Sequence, residues 1–268
     1  MTLAFIGAGK MAEAIIEALL RAEVLPPSDI QVSDADPSRP AALAGRLGIG
    51  IAASNSEAVE WADTIVLAVK PQQLDDVLRE ISRKVDSRKL FISIAAGKKL
   101  AGIERLLPGA HVIRVMPNVC CTIGEGMNVF TLGTRATDDD RQTTQSYLGA
   151  CGVAHELPEA QFDAVTALSG SGPAFFARFL LAMVEAAKAE GLSEDDATVL
   201  ATQTMFGTAL LLRQTDVSAE KLIGNVTSAK GTTAEGLAVL DSSDFGSVVR
   251  ATIAAAARRS RELSGPSA

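Results

Sequence analysis

Apolar positions along this chain follow two periods, and the change from one to the other divides it. In the first half, short apolar runs alternate with stripes at helical spacing. Leu3-Ala4-Phe5-Ile6 is an extended run closed by Gly7. Met11, Ile15 and Leu19 then recur at i, i+4 and i+8, with Ile16 and Leu20 beside them, which predicts a helix with one buried face. That helix is expected to end near Glu23, before Pro26-Pro27-Ser28 turns the chain. Further strands are expected over 29–34, 49–52, 64–69, 90–94 and 111–116. Helices are expected over 41–47, along Leu74, Val77, Leu78 and Ile81, and over 100–107. Thr64-Ile65-Val66-Leu67-Ala68-Val69 shows no polar alternation, the pattern of a strand buried on both faces of a parallel sheet. Weaker signals add strands at 126–132 and 152–157 around a helix at 137–149. Strand and helix alternating at these lengths predict an α/β fold with a Rossmann-type, doubly wound, mostly parallel sheet.

From Glu159 onward only the helical period remains. Phe175, Phe179 and Met183 repeat at four, as do Phe176, Leu180 and Val184, and further helices are expected over 199–212 and 245–263. The chain therefore reads as two domains, 1–157 and an all-helical 158–268, the second apolar enough to pack against another copy of itself. Arg258, Arg259 and Arg261 close the last helix, where cations complement the helix dipole. Two small, polar stretches break the helical half. Leu168-Ser169-Gly170-Ser171-Gly172-Pro173 reads as a kink. Asn225-Val226-Thr227-Ser228-Ala229-Lys230-Gly231-Thr232-Thr233 reads as a loop, with Thr232 or Thr233 capping the helix that follows.

Composition narrows the function classes. Hydrophobic residues make up 47% of 268, which suits a globular chain rather than a disordered one. A net charge of −7 without a Lys/Arg cluster argues against a nucleic-acid partner. No membrane-spanning run of about 18 apolar residues is evident, and the N-terminal apolar stretch is read as part of the glycine turn rather than as a signal peptide. Cys120, Cys121 and Cys151, with His111 and His155, show no metal-ligand spacing. The thiols are expected to be reduced and structural, the chain cytoplasmic and free of metal.

The chemistry begins at the N-terminal turn. Gly7-Ala8-Gly9-Lys10-Met11-Ala12 is a G-x-G-x-x-A between strand and helix, the dinucleotide-binding pattern. Gly7 permits the tight turn, Gly9 lets a pyrophosphate approach the backbone, and Ala12 lets the helix pack on the strand. Free N–H groups of Lys10 and Met11 would face the anion. Asp34, 22 residues beyond Ala12, ends the second strand, where a carboxylate accepts the adenosine ribose hydroxyls and opposes a 2′-phosphate. NAD(H) and NADP(H) are both compatible with the turn, and Asp34 favours NADH. Ligands on such sheets lie beyond the carboxyl ends of the strands. That edge adds Ala68, Val69, Lys70, Pro71, Ala95, Ala96, Gly97, Pro117 and Asn118 to Ala8 as candidate cofactor residues, with Asn55 beside the helix cap Ser54. In the late loop, hydroxyls and free N–H groups at a helix start suit a carboxylate.

Taken in order, these motifs resemble the pyrroline-5-carboxylate reductase family. The similarity is carried by Phe5-Ile6-Gly7-Ala8-Gly9-Lys10-Met11-Ala12, Ala68-Val69-Lys70-Pro71, Ser93-Ile94-Ala95-Ala96-Gly97 and Arg114-Val115-Met116-Pro117-Asn118. More specific still are Ala164 to Ala174, containing Leu168-Ser169-Gly170-Ser171-Gly172-Pro173, and Val226-Thr227-Ser228 with Gly231-Thr232-Thr233. The resemblance implies an N-terminal Rossmann domain, a C-terminal helical domain that interlocks with a partner in a homodimer or larger assembly, and hydride transfer from NAD(P)H to the cyclic imine to give L-proline. It also implies that Val226, Ser228, Gly231, Thr232 and Thr233 bind substrate, the carboxylate being held by hydroxyls and amides, and that Thr233 is the catalytic residue at the imine nitrogen. One departure stands out: Ala229-Lys230-Gly231 replaces the family's usual Pro-Gly-Gly, and Lys230 is expected to point into solvent.

Two other readings stay open, a reductase of a related cyclic imine acid and a non-catalytic NAD(H)-binding regulator. The hydroxyls of Ser228, Thr232 and Thr233 count against the regulator. A 3-hydroxy acid dehydrogenase would need Gly-x-x-x-Lys-x-x-x-Asn after the Ser-Gly-Ser-Gly stretch, whereas Gly172 is followed by Phe176 and Leu180.

Overall fold

The computed structural model describes residues 1–265. Eight strands form one sheet: β1 (Leu3–Ile6), β2 (Ile30–Ser33), β3 (Gly50–Ile51), β4 (Thr64–Leu67), β5 (Leu90–Ser93), β6 (His111–Met116), β7 (Gly126–Leu132) and β8 (Gly152–Glu156). Their spatial order is β3-β2-β1-β4-β5-β6-β7-β8. The first six are parallel, β7 runs antiparallel to β6, and β8 is parallel to β7. The fold class is the expected mostly parallel, doubly wound sheet. The reversal at β6–β7 follows from a connection of only a 3-10 segment, Val119–Ile123, too short for a parallel crossover.

The unbroken apolar runs have a direct cause. Every residue of β1, β4 and β5 is buried, and alternate side chains enter different cores. Leu3, Phe5, Val66 and Ile92 join Ile15, Ile16 and Leu19 of α1 (Lys10–Arg21) and Tyr147 and Leu148 of α6 (Asp138–Gly149) on one face. Ala4, Ile6, Ile65, Leu67 and Phe91 join Val59 of α3 (Asn55–Trp61), Leu74, Leu78 and Ile81 of α4 (Pro71–Ile81) and Ile103 of α5 (Leu100–Leu106) on the other. The remaining helix of this half, α2 (Ser38–Leu47), follows β2. With helices on both faces, neither face keeps polar positions.

The chain forms two compact units, Met1–Ser171 with the segment from Ala256 on, and Gly172–Ala255. The first takes in more than 1–157 for a local reason. Phe162 and Val165 of α7 (Phe162–Val165) pack with Val129 of β7. The Ser260 hydroxyl donates to Asp163 Oδ1 at 2.6 Å from the end of α12 (Phe245–Ser264).

The second unit contains α8 (Gly172–Ala189), α9 (Glu194–Gln214), α10 (Ala219–Val226), α11 (Thr232–Ser242) and the start of α12. Within it, Gly172, Val184 and Ala197 are the buried residues, while Phe176, Met183, Leu200 and Phe206 lie exposed. The helical stretch Glu159–Ala189 is long and apolar enough to cross a membrane by length and composition, with a mean hydropathy of 1.4. Sequence reading expected no such run, because the small polar residues at 168–173 hid its continuity. A π turn, Thr166–Gly170, lies where the kink is expected. Ser171 N–H donates to Thr166 O at 2.9 Å, and the hydroxyls of Thr166 and Ser169 donate back to Phe162 O and Val165 O at 2.7 and 3.1 Å.

Candidate active site

The strand order reverses direction between β1 and β4, the point at which doubly wound sheets bind ligands. A groove of about 410 Å³ opens there, lined by Gly7, Gly9, Asp34, Asn55, Ala68, Val69 and Lys70 from the predicted set. Gly7 has φ +105°, and a Cβ on it would lie 2.6 Å from the Ala68 carbonyl oxygen, so the turn excludes any side chain. Gly9 differs. A Cβ there would meet no protein atom within 4 Å, so packing does not require glycine, whereas a phosphate resting on the backbone would. Gly9 also caps α1 without a side-chain acceptor, which leaves the first N–H groups of that helix aimed outward at its positive end.

Asp34 is tied into this turn. Its Oδ2 accepts the Ala8 N–H at 2.8 Å and its Oδ1 accepts the Asp36 N–H at 2.9 Å. The carboxylate thus joins the β1–α1 turn to the β2–α2 turn, a role sequence reading did not assign, while its remaining lone pairs stay available to hydroxyls. Asp36 accepts both the hydroxyl and the N–H of Ser38, at 2.6 and 3.1 Å. Those bonds, the hydroxyl first, hold its carboxyl below the usual carboxylate range. Asn55 accepts the Ser33 hydroxyl at 2.8 Å and donates to Glu80 at 2.9 Å, so it fixes the groove wall. Ser54 caps α3 as expected, accepting the Glu57 N–H at 3.1 Å. Lys70 and Pro71 begin α4 with proline at its first turn.

Not every predicted position lines this groove. Ala95, Ala96 and Gly97 follow β5, and Gly97, at φ +76°, borders a different cavity of about 550 Å³ together with Lys98 and Arg114. Buried Arg114 donates to Glu159 Oε1 at 2.7 Å and stacks 4.6 Å from the Phe162 ring centre, while the same oxygen accepts the Leu100 N–H at 2.8 Å at the start of α5. Pro117 and Asn118 end β6 near the π turn, with Asn118 Nδ2 donating to Ser169 O at 3.1 Å. Sequence reading missed Arg39 and Gln73, which line the groove from the first turns of α2 and α4, positions that carry no motif of their own.

In the second unit the late loop comprises residues 227–231, between α10 and α11. The expectation that Thr232 or Thr233 caps α11 is corrected: Gly231 is the cap residue, without a side-chain bond, and the threonines occupy the first helical turn. Gly231 packs closely on the loop, since a Cβ there would lie 2.3 Å from the Ser228 hydroxyl oxygen and displace that side chain. The arrangement gathers a hydroxyl, two threonines and outward N–H groups at one helix start, a fitting receptor for a carboxylate. Lys230 is exposed as expected, and it holds φ +57°, a left-handed conformation that glycine adopts without strain.

The three cysteines are free thiols, and among the described residues no cluster of His, Cys, Asp and Glu suits a metal. A hydrogen bond with Cys121, reinforced by burial, pushes the Cys151 thiol up, so it stays protonated and unreactive.

Comparison with known proteins agrees with this geometry. The family model for pyrroline-5-carboxylate reductase dimerisation matches residues 159–263, and that for coenzyme F420-dependent NADP oxidoreductase matches residues 2–97. A pyrroline-5-carboxylate reductase of Methanosarcina acetivorans is 38% identical over 97% of this chain and 96% of its own. One from Glycine max is 38% identical over 98% and 96%. Among solved structures, the pyrroline-5-carboxylate reductase of Coxiella burnetii superposes with a TM-score of 0.94 at 30% identity, covering 99% of each chain. That of Plasmodium falciparum, with NADP bound, gives 0.86 at 28% identity over 99% and 98%. The apolar face of α8 thus falls within a dimerisation module. The chain belongs to the pyrroline-5-carboxylate reductase family, enzymes that reduce 1-pyrroline-5-carboxylate to L-proline with a nicotinamide cofactor.

Proposed function

We propose that this enzyme takes NADH in preference to NADPH and divides its work between the β1–β4 groove and the late loop. The groove receives the dinucleotide. Its pyrophosphate lies on the outward N–H groups after Gly9, and its adenosine ribose lies against the remaining lone pairs of Asp34. Two carboxylates, Asp34 and Asp36, at that end disfavour an added phosphate. When bound, the reduced nicotinamide supplies the hydride that the imine carbon receives.

The observation that supports the substrate half is the start of α11, where Thr232 and Thr233 occupy the first turn, no side chain caps the helix, and the Gly231 N–H donates to Ser228 O at 3.0 Å. These groups hold the substrate carboxylate, with Val226 and Gly231 shaping the loop around it. Thr233 donates a hydrogen bond to the ring nitrogen and passes it a proton drawn from water, since a threonine hydroxyl is too weak an acid to give one up unaided. The nitrogen gains that proton as the carbon gains hydride, and the secondary amine of proline results.

The exposed apolar side chains of α8 and α9 support a homodimer in which that face is covered. The three free thiols support a cytoplasmic setting. Thr233→Ala is the test of the chemical assignment: kcat should fall by roughly tenfold or more while NADH binding is retained. An unchanged kcat removes Thr233 from the mechanism.

A further inference from the structure

We propose that the cavity beside α5 is a second ligand site, which takes a small organic molecule through an oxyanion head held by Arg114. The cavity shares no lining residue with the cofactor groove.

Strand β6 is buried from Val112 to Val115, and Arg114 is the one charge in that run. Its side chain is 6% exposed, so the guanidinium has given up almost all contact with bulk water. Glu159 answers only part of it, accepting from Nη1 at 2.7 Å. Among the described residues its other N–H groups meet no acceptor, although a guanidinium carries five. Phe162 covers its plane at 4.6 Å, which leaves an edge of the fork as the polar surface it offers the cavity.

Around that edge, donors outnumber acceptors. Lys98 gives one N–H to Asp75 at 2.8 Å and has two more. Arg105 stands exposed in the last turn of α5. The carboxylates lining the cavity are already engaged: Asp75 by Lys98, Glu159 by Arg114 and the Leu100 N–H, and Asp163 by the Ser260 hydroxyl. An ammonium ligand would therefore find its acceptors taken, and a neutral one would leave the Arg114 edge unanswered. A carboxylate or phosphate completes it with paired hydrogen bonds. The volume of about 550 Å³ suits a metabolite rather than a bare ion, and Ile103 and Leu106 give its body an apolar wall. Occupancy is felt at the start of α5, because the Glu159 oxygen that holds Arg114 also holds the Leu100 N–H.

The test follows thermal unfolding of the full chain in inorganic phosphate and in acetate, each against sodium chloride of equal ionic strength. Wild type is compared with Arg114→Lys and with the double variant Lys98→Gln, Arg105→Gln. The lysine keeps a cation for Glu159 and gives up the second edge, whereas the double variant leaves the buried pair intact. At least one anion should raise the wild-type Tm in a saturable way, phosphate marking a phosphorylated ligand and acetate a carboxylated one. Both variants should weaken that apparent affinity by about tenfold or more. If Arg114→Lys fails to fold, the double variant decides alone. The proposal is overturned if neither anion gives a saturable shift. Equal midpoints in wild type and the double variant overturn it too, since the anion would then be bound elsewhere on the chain.

Discussion

Asn118 Nδ2 donates to the carbonyl of Ser169 at 3.1 Å, joining the end of β6 to the π turn that precedes α8. A π turn shifts the helical ladder to i+5 and leaves carbonyls without their ordinary partners. The Asn118 carboxamide takes one of them, while its oxygen accepts the N–H groups of Cys120 and Met127, both at 3.2 Å. One side chain therefore holds the β6 end, the start of β7 and the helical turn in register.

Asn118→Ala removes all three bonds and strands partly buried backbone groups. Unfolding in urea should show a loss of about 2–3 kcal/mol. A loss below about 0.5 kcal/mol would show that water replaces the carboxamide at no cost.

The helical unit has almost no core of its own, and Met183, 51% exposed, lies in an apolar groove of about 640 Å³ between α8 and α9. Met183→Asp would place a charge where the proposed dimer buries that groove. Light scattering should then report a smaller assembly than wild type, with helical content retained. An unchanged mass would move the dimer contact elsewhere.

Acid stability offers a separate check on the sheet. Asp63 Oδ2 accepts the N–H and the hydroxyl of Thr2, at 2.9 and 3.1 Å, fastening the start of β1 to the start of β4. The Thr2 N–H, the largest cause, draws the Asp63 carboxyl below the usual carboxylate range. A carboxyl depressed in the folded state stabilises the fold above its unfolded pKa of about 3.9, and the contribution fades as pH falls through the lower folded value. Asp63→Asn should therefore cost stability at neutral pH, by less than about 1 kcal/mol because the pair is exposed, and the deficit should shrink as pH falls below about 3.9. A deficit that persists in acid would point to lost packing instead of lost charge.

How much of this was legible in the sequence differs from element to element. Thr64 to Leu67 announced a central strand because both of its faces are buried, and β6 and β7 were read at their observed limits. The glycine turn was legible because Gly7 answers to a local demand, the approach of the Ala68 carbonyl. The small polar residues at 168–173 read as a kink, whereas the π turn at Thr166–Gly170 changes only the hydrogen-bond partner, which leaves no sign in side-chain spacing. Contacts between distant positions were not legible either. Asp163 and Ser260 meet across 97 residues, and that contact belongs to the first compact unit, beyond a boundary drawn after the last strand. The ion pairs of Arg39 with Asp34 and Asp36 were not legible, because the turn and not a motif sets them.

This chain is expected to reduce a five-membered cyclic imine acid. Purified protein should oxidise NADH in proportion to added 1-pyrroline-5-carboxylate and release proline in equal amount, with the six-membered imine acid reduced more slowly. No imine-dependent oxidation of NADH or NADPH, under conditions where the dinucleotide binds, would contradict the account.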